Sequence, residues 1–496
     1  QSLPAPIGGW NVRDSIANMD TLDAVQLTNF FPTVNNVVLR GGYSKYSTGI
    51  AGQVQTLMGY SSGATDKLFA IAGTSIYDCT LGGAVGAAVK TGLTNAKWEY
   101  TNVTTPAGGY LYCVNGIDAP LLYNGSIWTN PAITGVTSST LSNITIFKNQ
   151  VWFTQKSTLK AWYLPTLSIQ GAANYIDMSS VAQLGGYLVA AGTWTIDAGY
   201  GVDDNLVFIT SNGEVIVYSG TDPSDATKWA LVGVWRIGKP VGKRCLMKYG
   251  GDMIILTYNG LYPLAASLQS SRLDPRIALS DKIQGAFSAA TQSYGDNFGW
   301  DISFDPKHNA LTCNVPIAEG QQQQYVMNNI TKAWCNFTGQ AANCWTIFAN
   351  EPYWGGNGFV AHAWDDNYSN DTSDINGYAL QAFNYFDARG VKKYFTRARP
   401  SVFTNGTPSV FVGLNMDFDL SDTTAALSFS PQVSAKWDVA KWDIDYWATD
   451  TVITNNWQGV TGIGYCAATQ FKTASQGTTI LWASTDIVYQ QGWAGI

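Results

Sequence analysis

The sequence predicts an all-β protein: a propeller-like array of antiparallel hairpins in six or seven blades, with short N-terminal helices and a C-terminal β-module. Three observations predict it. A phrase of short apolar strand, Gly or Asn turn and second short strand recurs along the chain. Several of its turns are Asn-Gly, which supplies the positive φ a tight hairpin needs. Helical patterning is confined to the first thirty residues.

The elements follow in order. Residues 13–19 (RDSIANM) and 21–30 (TLDAVQLTNF) read as short helices. Asp20 is placed to cap the second, Asp23 sits in its first turn, and Pro32 ends it. A strand is expected at 36–40. Hairpin phrases then occupy 67–80, 110–128, 144–164, 205–221, 252–268 and 310–337, with a seventh at 358–386. Gly73-Thr74, Asn124-Gly125, Asn212-Gly213 and Asn259-Gly260 mark turns between apolar runs. Successive phrases start roughly 35 to 60 residues apart, which brackets the repeat of a four-stranded blade. One hairpin cannot bury its own apolar face, whereas several packed radially bury one another. A pair of β-sandwiches is the competing architecture.

Strands at 392–405, 409–420, 426–434, 441–447 and 478–490 lack the Asn-Gly phrase. The chain therefore divides into an arm at 1–50, a propeller at 51–390, and a C-terminal module or elaborated closing blade at 391–496. Pairing of the 478–490 strand with an early blade would seal the ring.

Composition narrows the function. Charged residues make up 13% of the 496 residues, against roughly 25% in an average domain. Aromatics also reach 13%, with 19 Trp and 26 Tyr. Such a chain surfaces itself with amides, hydroxyls and rings, which are less costly than charges to desolvate against a partner. The net charge of −7 argues against a nucleic-acid grip but does not exclude passage of DNA through a channel, where weak repulsion prevents sticking. Seven cysteines with no CxxC, and two histidines, argue against zinc. Free thiols are expected, with Cys335 and Cys344 the nearest pair for a bridge. No apolar run is long enough to span a membrane, and QSLPAPIGGWNVRD does not read as a signal peptide.

Catalytic motifs are scarce. HExxH and GxxxxGK[ST] are absent. Gly59-Tyr60-Ser61-Ser62-Gly63 matches GxSxG but precedes a strand, not the helix of a nucleophile elbow. His308 and His362 read as turn or surface residues. Asp203-Asp204 and Asp365-Asp366 are adjacent acids, and neighbours on a strand point to opposite faces. The run from Asp365 to Asp374 has calcium-like composition without calcium-loop spacing. No catalytic, cofactor or metal residue is therefore assigned, and the chain is not expected to be an enzyme. Two basic groups are candidates for contact with DNA or an acidic neighbour: Arg236, Lys239, Lys243 and Arg244, and Lys392, Lys393, Arg397 and Arg399. Arg397 and Arg399 share a strand face. Trp437, Trp442, Tyr446, Trp447 and Trp457 could stack on sugars, cap a core or line a subunit contact.

Residues 6–32 (PIGGWNVRDSIANMDTLDAVQLTNFFP), 37–46 (VVLRGGYSKY) and 235–268 (WRIGKPVGKRCLMKYGGDMIILTYNGLYPLAASL) cover about a seventh of the chain. They resemble the tail nozzle, or tail hub and DNA-stabilisation, proteins of short-tailed bacteriophages. The resemblance implies a propeller subunit of a homo-hexameric ring below the portal and its head–tail adaptor. That ring surrounds the DNA exit channel and docks fibres, spikes or a needle. It implies a virion protein assembled in the host cytoplasm, without membrane insertion or cofactor. The alternative is a receptor- or glycan-binding tail protein, even a depolymerase, on the same scaffold.

Overall fold

A computed structural model describes residues 1–63, 65–197, 202–268, 274–422, 426–427 and 452–492. The hairpins form where turn chemistry places them. Gly125, Gly213 and Gly260 adopt φ of 92°, 86° and 133°. At Gly213 a Cβ would also sit 2.3 Å from the Gly238 carbonyl carbon, so this turn needs glycine for space as well as for φ. Lys148-Asn149 makes a further tight turn, both residues at positive φ.

The hairpins extend into seven strand sets. Set 1 is the second half of the long strand Gly42–Ser61 with Asp66–Ala72, Ser75–Asp78 and Lys90–Thr91. Set 2 runs from Glu99–Thr105 to Trp128–Thr129, set 3 from Leu141–Phe147 to Asn174–Asp177, and set 4 from Leu188–Asp197 to Trp229–Arg236. Set 5 has three strands, Leu246–Tyr249, Asp252–Thr257 and Gly260–Pro263. Set 6 runs from Asp301–Asp305 to Trp334–Phe337. Set 7 joins Cys344–Phe348, Glu351–Gly355 and Asn357–Asp365 to the first half of Gly42–Ser61. Sets 2 to 5 stand as separate sheets, so four independent blades are found where six or seven were expected. Sets 1 and 7 are fused through Gly42–Ser61, and set 6 continues into a ten-stranded sheet.

The innermost strand of each set neighbours that of the next, and the strand of set 7 returns to that of set 1. An N-terminal strand closes this ring: Gly42–Ser61 pairs with Asn357–Asp365 through Tyr43↔Ala363 to Gln53↔Asn357. The last strand does not make this closure. Ile480–Gln491 instead pairs with Lys393–Thr404, Ser2–Pro4 and Val37–Leu39.

The arm and the C-terminal module thus share sheets and form one platform. Asp23–Thr28 pairs antiparallel with Ile375–Gln381, which pairs with Ala467–Ser475. The helices expected at 13–19 and 21–30 are absent; the first is turns and the second holds the strand Asp23–Thr28. Asp20 bonds the Leu22 amide in a turn instead of capping a helix. The 358–386 phrase likewise divides, Asn357–Asp365 going to set 7 and Ile375–Gln381 to the platform. Phe30, Leu39, Phe337, Val402, Phe471 and Trp482 share one core, which welds arm, set 6 and module. The longest helix among the described residues, Gln284–Tyr294, falls where no helix is expected; Phe287 is buried on it against Trp300 and Tyr325. Among the described residues no helix is long and apolar enough to cross a membrane.

All seven cysteines are free and buried, Cys335 and Cys344 included. Burial pushes the Cys79, Cys245 and Cys344 thiols up to about 12. A thiol reagent such as DTNB should modify none of the seven in the folded chain and all in denaturant; rapid native labelling would contradict this packing.

Candidate functional site

The ring of inner strands surrounds a cavity of about 240 Å³ at its centre. Leu57, Tyr100, Asn143, Ala191, Leu246, Asp301 and Trp345 line it, one from each strand set in turn. Side-chain bonds tie the inner strands together. Asn143 Oδ1 accepts from the Ala191 amide at 3.0 Å, and the Tyr100 hydroxyl meets Thr346 Oγ1 at 3.1 Å.

Arg244 crosses this centre. It lies in the connection into set 5, and its side chain reaches sets 1, 2 and 6. One terminal nitrogen, Nη2, donates to Gln55 O, Thr56 Oγ1 and Trp98 O at 3.2, 2.9 and 3.1 Å. Nε lies 3.4 Å from Glu99 and Nη1 3.8 Å from Asp301. Burial opposes the Arg244 charge, but Glu99 and Asp301 outweigh it and hold its pKa above the ordinary value. Burial lifts the Asp301 carboxyl to about 6 against the pull of Arg244. The guanidinium therefore plugs the channel as a structural cross-brace.

A wider cavity of about 550 Å³ opens beside this plug. Lys97, Lys156, Lys239, Lys243 and Arg244 line it, together with Tyr258, Phe298 and Trp300. Lys97 lies 4.6 Å from the Phe298 ring centre and Lys239 lies 4.7 Å from that of Tyr258. Lys243 is wetted but crowded in the concave mouth. Desolvation lowers its pKa, with Lys156, Arg244 and Lys97 adding to the effect and Glu99 opposing it.

The candidate basic residues thus separate. Lys239, Lys243 and Arg244 meet at the cavity, while Arg236 lies outside it, bonded to Gln183 Oε1 at 3.1 Å. Arg397 and Arg399 both point outward from the platform, with Ala398 buried between them. Arg399 is engaged by Asp486 at 2.6 Å and by Trp457, 4.7 Å from its ring centre. Lys393 is fully buried, its ammonium donating to Ala388 O, Val391 O and Tyr465 O. Lys392 lies over Tyr465. Trp437, Trp442, Tyr446 and Trp447 fall outside the described residues. Lys97, Lys156, Glu99 and Asp301 escaped the sequence reading because they come from three strand sets, Lys97 and Glu99 from the start of set 2, Lys156 from set 3 and Asp301 from set 6, and only the ring brings them together.

The remaining candidates have structural partners. His308 stacks on Trp364 and bonds Asp305 at 2.5 Å. His362 lies 3.4 Å from Glu351. Ser61 ends a strand, and Ser62 bonds Thr65 O in the turn that follows. Asp204 pairs with Lys148 at 3.2 Å, and the side chain of Asp203 falls outside the described residues. In the acidic loop, Asn370 accepts from Arg40 and Asp371 pairs with Lys45. Among the described residues no group of three or more His, Cys, Asp or Glu is placed to hold a metal ion.

The closed ring of inner strands defines the class: a β-propeller carrying a platform built from both chain ends. No family model and no curated protein matches the chain. Among solved structures, BBS1N in complex with ARL6DN is similar at 8% identity with a TM-score of 0.40, covering 66% of this chain and 96% of its own. YCF48 bound to a D1 peptide is similar at 8% identity with a TM-score of 0.37, covering 65% and 94%. The fold assignment rests on the strand pairing.

Proposed function

We propose that this chain is a structural subunit of a bacteriophage tail, forming with its copies a ring-shaped nozzle around the DNA exit channel and performing no chemistry of its own. The observation that carries assembly is the outer face of the platform. Tyr394, Phe403 and Leu481 are half-buried there, while Ile453, Ile463 and Val488 are 56%, 42% and 42% exposed. Cross-strand pairing gathers them at the two ends of Lys393–Thr404: Phe403 faces Ile453 and Leu481 at one end, Tyr394 faces Ile463 at the other, and Val488 faces Arg397 between them. Arg397, Arg399 and Asp486 lie between these two apolar groups on the same face, and a face of apolar ends around a charged middle, in a chain this poor in charge, suits a neighbouring subunit.

The first resembling phrase is held by Asp281 and Lys282, which lie outside 235–268: Lys282 pairs with buried Asp23 at 2.7 Å, its backbone oxygen accepts the Val12 amide, and Arg13 pairs with Asp281. The arm is thereby bolted to the propeller. The exit channel in this reading lies between subunits, because Arg244 obstructs the propeller's own centre. Copies of a chain at −7 would line such a channel with repulsive charge.

Replacing Ile463 and Val488 together by Asp should abolish ring formation in light scattering, with the melting temperature of the subunit nearly unchanged. Rings of undiminished stability would remove this face from the assembly. Lys282→Ala should leave buried Asp23 with the Asn11 amide as its remaining side-chain partner and lower subunit stability by about 2 kcal/mol, read from the urea midpoint.

A further inference from the structure

The cavity beside the Arg244 plug has a charge balance opposite to the rest of the molecule. Five cations and two carboxylates, Glu99 and Asp296, line it, a local excess of three positive charges in a chain of net −7. Glu99 is already engaged by Arg244. None of Lys97, Lys156, Lys239 and Lys243 has a carboxylate within 4 Å among the described residues, whereas Lys45, Lys67, Lys148, Lys228, Lys282, Lys307 and Lys472 do. Like charges converge in this mouth, a destabilising arrangement unless an anion joins them. The walls are concave and partly aromatic, which amplifies the field that an entering anion feels. The volume, about 550 Å³, is in the range of small-ligand sites.

We infer that this cavity is a binding site for a compact polyanion of the polyphosphate class, held by Lys97, Lys156, Lys239 and Lys243. Four ammonium groups on separate elements of the ring, Lys97 beside set 2, Lys156 after the second strand of set 3, and Lys239 and Lys243 before set 5, converge on one guest. Its charge would neutralise their repulsion and cross-link three blades at the propeller mouth. The site is independent of the nozzle reading, since it needs no second subunit.

The probe is inorganic tripolyphosphate, titrated calorimetrically into the full chain at low ionic strength. One-to-one binding is expected, weakening at least tenfold in a Lys156→Gln/Lys243→Gln variant and staying unchanged in a Lys228→Gln/Lys472→Gln control. Tripolyphosphate should also raise the melting temperature of the wild type but not of the cavity variant. This second readout shows that the variant is folded, because its own transition is recorded without ligand. Absence of binding at millimolar tripolyphosphate, or equal binding by both variants, overturns the proposal. So does tighter binding of a ten-nucleotide single strand than of tripolyphosphate, which would make the patch a nucleic-acid contact.

Discussion

Arg40→Met is expected to destabilise the protein by on the order of 3–5 kcal/mol. Arg40 is 1% exposed, at the junction of arm, propeller and platform. Its Nε donates to Asn29 Oδ1 at 2.9 Å, and its terminal nitrogens donate to Gly41 O, Thr338 O and Asn370 Oδ1 at 3.0, 2.9 and 2.6 Å. Its ring neighbour is Phe337, 5.7 Å away. Burial pushes the guanidinium pKa down, but arginine starts so high that it stays charged. Methionine would fill much of the volume and take the donor from Gly41 O, Thr338 O and Asn370 Oδ1, while Asn29 Oδ1 would keep only the Thr338 amide. Lysine would restore the charge but not the fork, and should recover about 1–2 kcal/mol. The urea midpoint reads the loss. Hydrogen exchange locates it, with protection expected to fall around 29–41, 338–340 and 367–371. A methionine variant within about 1 kcal/mol of wild type would mean that this junction does not hold the two parts together.

Arg244→Ala is the second large effect, and its size depends on pH. The substitution removes the cross-brace and leaves Glu99 and Asp301, with side chains only 17% and 11% exposed, without their cation. A loss on the order of 3–5 kcal/mol is expected near pH 8. Asp301 in the wild type is raised to about 6, above an unfolded value near 3.9. Its contribution is therefore fully present below pH 4 and declines as pH climbs through 6. Without Arg244 the Asp301 carboxyl rises further, so the variant keeps losing stability at a pH where the wild type has levelled off. The difference between the two proteins should widen from pH 5 to pH 8. Adding Asp301→Asn should remove most of that widening. A pH-independent difference would show that Asp301 does not titrate against Arg244.

The hairpins were legible because their signals are local. Asn212-Gly213 falls in the short turn between Val202–Thr210 and Glu214–Gly220, Asn259 ends the two-residue turn closed by Thr257↔Gly260, and the flanking β-branched runs need nothing distant to become strands. The arm was misread because its signals are not local. Residues 21–30 carry an acid before an apolar run, as a helix start does. Yet Asp23 is consumed by Lys282, and Ala24 to Thr28 pair with residues 378–381. Tertiary pairing overrode a weak helical preference. Ring closure was missed for a related reason: a 20-residue strand serves two sets at once, and no repeat marks where one ends. The site was half legible. Lys239, Lys243 and Arg244 stand together in sequence, but Lys97 and Lys156 join them only through the ring order. The outer platform face was not foreseen, since Ile463 and Val488 look like core residues until the pairing turns them outward.

The central claim is that this subunit works as part of a ring. Its most direct test is the mass and symmetry of the native assembly, alone and with a head–tail adaptor ring, by light scattering and cryo-EM class averages. The account predicts six-fold rings with a central hole and a mass of six 53.6 kDa chains. A trimer, or a monomer that never joins a ring even with the adaptor present, would contradict it.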